Sequence, residues 1–227
     1  VIAGDFDFRE AKRLIEKYYG DWEPGYVAPR IVPEPEQTAP RERTVEYPGR
    51  TLPVLSINYK SPAWSATDTL AVAMEVLGRV AFGPNSEIYR KLVLQEQRVQ
   101  FLEAGFGLQR DPSLAEIITM VNDPADVDAV KQEILSTVER FRTEPPDSAV
   151  LAATKSNMKY GFLMRLETPL NVAFSLSSVI VNTGGIEAIE DYYRTLDAIT
   201  PEHVRAAAQK YLTENGRTIV TMVQAEG

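Results

Sequence analysis

Apolar residues recur along this chain with a helical period in some segments and a two-residue period in others. The segment 8–19 carries one apolar stripe between a capping residue, Asp7, and a terminating glycine, Gly20. The same period predicts further helices over 65–82, 85–97, 122–143, 145–166, 168–185, 186–199 and 201–212. Most of the chain is therefore predicted to be helical.

Strands are predicted where apolar and polar residues alternate. Leu55, Ile57 and Tyr59 share one face of a strand over 52–60. Other strands are predicted near Thr44 and over 99–109 (with Leu102, Ala104, Phe106 and Leu108 on one face), 114–122 and 217–223. Strands that follow one another directly favour antiparallel pairing, so this order predicts an α+β fold. We expect a two-layer sandwich with a mainly antiparallel sheet and helices on one face.

Three regions differ in composition. Residues 1–20 contain the end of a strand, Val1–Ala3, and the first helix. Residues 21–42 are rich in proline and glutamate, which is typical of an extended linker. Residues 43–227 contain the remaining elements and form one domain. The helix ends "AKRLIEKYYGDW" and "RAAAQKYLTENG" are alike, so residues 1–20 are predicted to be the tail of a preceding domain of the same kind.

Charge and residue usage exclude several classes of function. The formal net charge of −8 argues against a nucleic-acid partner, because phosphate binding needs clustered basic residues. The sequence has no apolar run of membrane-spanning length. It has no cysteine, and its single histidine is His203, which is too few for the usual catalytic zinc site. His203 is predicted to be a solvated residue at the start of a helix.

Several segments, in their order and spacing, carry a family resemblance. They are "VIAGDFD", "EKYYGDWEPG", "SINYKSPAWSATDTLAVAMEVLG", "NSEIYRKLVLQEQRVQFLEAGF" and "LDAITPEHVRAAAQKYL". Together they resemble the second half of an M16 family (insulinase- or pitrilysin-like) zinc peptidase, and the likeness covers almost the whole chain. In that family two homologous α+β domains face each other like a clam shell. The first domain holds zinc through a His-x-x-Glu-His helix and a distant glutamate.

The resemblance implies a division of labour between this chain and another domain. The sequence has no His-x-x-Glu-His motif, so this chain alone is not expected to be an enzyme or to bind a cofactor. Zinc and catalysis are expected from an N-terminal catalytic domain or a homologous subunit. This chain would close the substrate chamber, where an exposed strand edge can pair with an extended peptide.

The resemblance also indicates which residues face the substrate. The second domain of active relatives supplies an arginine and a tyrosine that contact the peptide. Here the arginine position holds Glu87, and the tyrosine position falls on Phe101, or on Gln100 if the register shifts by one. Arg90 either takes the arginine's place or pairs with Glu87 on the surface. Phe101 either packs within its strand or lines a cleft, because it alternates away from the strand's apolar face.

A second function remains open from the sequence. Relatives of this fold serve as scaffold subunits, so the chain can instead be a purely structural or interaction module. A His-x-x-Glu-His motif in the other half, or in a neighbouring subunit, would discriminate between the two. Bacterial two-domain members are often exported and cysteine is absent, which favours the periplasm over the cytoplasm.

Overall fold

Five strands build one mixed sheet in which a single pair is parallel. The computed structural model describes residues 1–23, 25, 27, 32, 34–107 and 109–225. Among these residues the strands are β1 (Arg41–Tyr47), β2 (Val54–Lys60), β3 (Val99–Gly105), β4 (Leu114–Val121) and β5 (Thr218–Gln224), in the spatial order β1-β5-β2-β4-β3. β1 runs parallel to β5, and the other pairings are antiparallel. The predicted α+β fold with a mainly antiparallel sheet is confirmed.

Helices of the domain form the second layer. They are α2 (Thr69–Phe82), α3 (Glu87–Tyr89), α4 (Val127–Thr143), α5 (Ser148–Arg165), α6 (Pro169–Thr183), α7 (Ala188–Ala198) and α8 (Pro201–Tyr211), preceded by the separate α1 (Phe8–Tyr19). α2 is the central helix, because most of its residues are buried and it packs against α4, α5, α7 and α8. Its first turn is capped by Asp68, which accepts from the backbone N–H of Leu70 at 2.8 Å.

The core lies between the sheet and these helices. Leu55, Ile57 and Tyr59 of β2 are fully buried on the face that the alternation predicted. The buried hydroxyl of Thr119 on β4 donates to the backbone oxygen of Phe101 at 2.5 Å, so this polar group is satisfied inside the core. The core therefore holds β3 against β4 by both side-chain and backbone contacts.

One strand pairing and two element boundaries differ from the sequence-based prediction. β1 pairs with β5 and not with its sequence neighbour β2, because β4 and β5 already occupy both edges of β2. The helix predicted over 85–97 is divided into α3 and a wider π-helical stretch, Arg90–Gln95. β3 ends at Gly105, and Phe106 then packs over Gly78, where a Cβ atom would lie 2.9 Å from its Cγ. The fourth residue of the predicted apolar face, Leu108, lies outside the described residues.

The N-terminal helix α1 forms as predicted but buries no residue. Asp7 caps it by accepting from the backbone N–H of Glu10 at 2.8 Å. Its apolar stripe, with Leu14, Ile15 and Tyr18, is exposed. Val1–Ala3, predicted to end a strand, are not assigned to one in this structure. That these residues belong to a preceding domain stays a prediction.

The helix α6 buries none of its residues. Leu170, Phe174 and Val181 are exposed along it. Among the described helices, none has by itself the length and hydropathy of a membrane span, although α6 and α7 meet both criteria as a bent pair.

Candidate functional site

A groove of about 560 Å³ follows the free edge of β3. β4 is the only described strand that pairs with β3, so the other edge of β3 carries no strand partner among the residues described. Residues from both faces of β3 line this groove, as is expected where a cleft follows a strand edge. The opposite wall comes from α2 and α5 and includes Phe82, Thr154 and Asn157. The β3 groove thus combines an unpaired backbone edge with a side-chain wall.

The sheet face that the helices leave open carries an apolar row. Strand register aligns five residues, one from each strand, across the sheet. Paired residues point to the same side of a sheet, so these side chains are neighbours. This apolar row consists of Val45, Met222, Val54, Met120 and Phe101. Phe101 also lines the β3 groove, so the row leads into it.

Polar side chains occupy the same open face beyond the apolar row. Asn58 Nδ2 donates to Ser56 Oγ at 2.7 Å, and Ser56 Oγ donates to Glu116 Oε1 at 2.8 Å. The described linker residue Gln37 contacts the end of this face, because Thr218 Oγ1 lies 3.3 Å from Gln37 Oε1. The open face is therefore apolar at one end and hydrogen-bonded at the other.

Comparison with known proteins places the chain in a family. Residues 1–158 match the family model described as the peptidase M16 inactive domain. The chain belongs to the peptidase M16 inactive-domain family. The chain is 23% identical over 224 residues to the zinc protease PqqE of Helicobacter pylori, and the alignment covers 96% of this chain and 50% of that protein. This M16 domain thus spans about half the length of the curated relative that it matches.

Solved structures share the fold of this M16 domain. A protease from Helicobacter pylori superposes with a TM-score of 0.86 at 21% identity, over 97% of this chain and 54% of that one. The periplasmic protease PqqL from Escherichia coli superposes with a TM-score of 0.70 at 13% identity, over 98% of this chain and 25% of that one. Both likenesses concern the fold.

The structure separates the four residues that the sequence suggested for substrate contact. Phe101 alone lines the β3 groove, and it shares the open face with Met120. Gln100 is exposed, and the strand register shifts at this residue, between Val99 and Phe101. Glu87 forms its salt bridge with Arg140 of α4, so the predicted surface pair with Arg90 is wrong. Arg90 is exposed at the start of the π-helical stretch.

The described residues of the M16 domain do not fit a zinc ion. His203 serves a structural purpose, because its Nδ1 accepts from the backbone N–H of Thr200 at 3.3 Å, within a capping box. In the part of the chain that the structure describes, no three His, Cys, Asp or Glu side chains are grouped as metal ligands.

Sequence reasoning missed a polar cluster beside the β3 groove. Tyr192 of α7 donates its hydroxyl proton to Glu75 Oε2 of α2 at 2.5 Å. Glu75 Oε1 also lies 3.5 Å from Arg79 Nη2, and both residues line the groove. The two partners of the Tyr192 bond are 117 residues apart, so helical spacing gives no signal for it.

The free energy of unfolding is expected to fall as the pH rises above about 10, the usual tyrosine pKa. Burial raises the pKa of Tyr192 well above its usual range and raises the pKa of Tyr193 to about 12. Because the pKa values are raised in the folded state, this stabilisation is complete below the unfolded-state pKa. It is lost as the pH rises through the folded-state values.

The variant Tyr192→Phe removes one of these groups and should reduce the decline in stability between about pH 8 and about pH 11. Urea unfolding at both pH values measures this decline in the free energy of unfolding. The control is Tyr160→Phe, because the side chain of Tyr160 is 65% exposed. An equal decline in wild type and Tyr192→Phe would contradict the prediction.

Proposed function

We propose that this chain is the non-catalytic half of an M16 zinc metallopeptidase, where it closes the substrate chamber and binds an extended peptide. The observation that carries the proposal is the β3 groove, with its unpaired strand edge and the adjoining apolar row. An extended peptide can add to such an edge through backbone hydrogen bonds, while its alternate side chains enter the groove. Phe101 is then the aromatic contact where the edge and the open face meet.

The proposal includes the organisation of the longer protein. Residues 1–20 would complete a preceding homologous domain, residues 21–42 would link the two, and residues 43–227 would form the C-terminal inactive domain. The exposed apolar stripe of α1 supports the first assignment, because such a stripe is normally buried against another element. The chain's coverage of half of its relative is consistent with a second domain of similar size.

Zinc and catalysis would come from that N-terminal domain or from a homologous subunit. The chamber would lie between the two domains, with the open face of this sheet as one wall.

The name of the PqqL neighbour, a periplasmic protease, supports a periplasmic location over a cytoplasmic one for this protein.

A purely structural module is the second candidate function. The salt bridge between Glu87 and Arg140 favours it, because the position where active relatives supply an arginine is here an acidic residue held by α4. In that case the whole protein would neither hold zinc nor cleave peptides.

Zinc content and peptide cleavage of the full-length protein distinguish these functions. We expect bound zinc and cleavage of a quenched fluorescent peptide, with both unchanged in His203→Ala, because His203 caps α8 and is not a ligand. The chelator EDTA should abolish cleavage. A full-length protein without zinc or cleavage would contradict the peptidase proposal and support the structural module.

A further inference from the structure

A second cleft opens among the helices beside the β3 groove. It has a volume of about 330 Å³ and lies between α2, α5, α6 and α7. Ligand pockets range from about 300 to 1,000 Å³, so this helical cleft suits a group the size of one or two residues. It shares Glu75, Arg79 and Met158 with the groove along β3. A chain lying in the groove can therefore continue into the helical cleft.

Aromatic rings form one side of the helical cleft. Trp64 stacks on Tyr192 with ring centroids 6.5 Å apart, and Tyr192 meets the edge of Tyr193 at 5.2 Å. Phe162 contacts Tyr193 at 5.5 Å, which extends the same wall. All four residues line the cleft. Such a wall favours an apolar or aromatic side chain.

The polar groups of the cleft favour an anion. The carboxylate of Glu75 already interacts with the hydroxyl of Tyr192 and with Arg79. Arg165, at the end of α5, also lines the cleft, and it has no ion-pair partner within the residues that the structure describes. The cleft thus has two guanidinium groups and one carboxylate, although the protein as a whole has a net charge of −8. A guanidinium group without a partner suits a carboxylate ligand.

An unsatisfied donor gives a second reason to expect a ligand oxygen. Trp64 Nε1 is buried, and none of the described groups accepts its proton. Buried donors are nearly always hydrogen-bonded in native proteins. An oxygen of a bound group is one partner that would satisfy this indole.

We infer that the helical cleft binds the C-terminal residue of a peptide held in the β3 groove, with the apolar side chain against the aromatic wall and the carboxylate at Arg165. The inference rests on the proposed function, because it adds an end to the peptide that the groove would hold. The C-terminal end of a peptide in the groove would then lie toward the helical cleft. Peptides with a free C-terminus and an apolar last residue would bind best.

Fluorescence anisotropy with the full-length protein tests this, in EDTA to prevent cleavage. The probes are a peptide of about ten residues, long enough for one strand, that ends in phenylalanine with a free carboxylate, its C-terminal amide, and a version that ends in glycine. We expect the amide to bind about ten- to a hundredfold more weakly than the acid, the effect of losing one charge-assisted hydrogen bond. The glycine version should also bind more weakly than the phenylalanine version.

The variant Arg165→Met should bind the acid and the amide equally. Arg194→Met is the matched control, because Arg194 is a surface residue of α7 that pairs with Asp191 outside the cleft. It should keep the difference between acid and amide. Circular dichroism checks that both variants are folded.

The outcomes separate this inference from the proposed function. If wild type binds acid and amide equally but Phe101→Ala weakens the binding of both, the inference on the helical cleft is overturned and the proposal that the β3 groove binds peptide stands. If no probe binds, or if neither amidation nor Phe101→Ala changes binding, the inference on the helical cleft and the proposed peptide binding in the β3 groove are both overturned.

Discussion

Replacing Phe101 by alanine is expected to raise the KM for an extended peptide substrate about tenfold, the effect of losing roughly 1.4 kcal/mol of contact. Phe101 is partly buried, lies at the end of the apolar row and lines the β3 groove. Its ring is therefore placed to contact a peptide along the strand edge. The value of kcat should change by less than about twofold. The contact with Phe101 is expected to be equally strong in the bound substrate and in the transition state, so its loss weakens binding and leaves the chemical step unchanged.

Steady-state cleavage of a quenched peptide by the full-length protein measures this effect. Tyr47→Ala is the matched control, because Tyr47 is an aromatic residue on the opposite edge strand, β1. It should leave both kinetic constants unchanged. Equal effects of Phe101→Ala and Tyr47→Ala would show that the β3 groove has no special role in substrate binding. A lower kcat with an unchanged KM in Phe101→Ala would contradict the prediction, because it would indicate a contact made only in the transition state.

Local patterns in the sequence were sufficient to predict most of the fold. Alternation placed Leu55, Ile57 and Tyr59 on the buried face of β2, and a capping residue located the start of α1 at Asp7. These features depend on residues within a few positions of each other. The pairing of β1 with β5 could not be predicted in this way, because it joins segments about 180 residues apart.

The candidate site was predicted only in part, for the same physical reason. Phe101 was identified through the family resemblance, alternation directed it away from the strand's apolar face, and the structure places it in the β3 groove. The partner of Glu87 was wrongly predicted, because spacing favoured Arg90 whereas the fold brings Arg140 beside it. The cluster of Glu75 and Tyr192 comes from α2 and α7, and only packing reveals it.

The two clefts share the helix α2. Its residues Glu75 and Arg79 line both clefts, and Gly78 lies between them under the ring of Phe106. A larger residue at position 78 would displace Phe106 and the end of β3. The geometry of the proposed peptide site therefore depends on the packing of α2 against β3.

Replacing Phe82 by alanine is expected to lower the free energy of unfolding by about 3–5 kcal/mol, the usual effect of truncating a buried phenylalanine. Phe82 is 1% exposed, and its ring lies 6.2 Å from that of Phe106. The truncation removes apolar contacts and leaves a cavity that the surrounding core can fill only partly. This loss is a large fraction of the roughly 5–15 kcal/mol that stabilises a typical domain.

The same substitution at an exposed site provides the control for Phe82→Ala. Phe174 of α6 is 67% exposed, so Phe174→Ala should change the free energy of unfolding by less than about 0.5 kcal/mol. Urea unfolding followed by circular dichroism should show a lower midpoint for Phe82→Ala and an unchanged slope. A similar midpoint in both variants would contradict the assignment of Phe82 to the core. A lower midpoint for Phe174→Ala alone would instead show that α6 is covered in solution. Because Phe82 also lines the β3 groove, Phe82→Ala should weaken peptide binding as well, which links the stability of this corner to its proposed function.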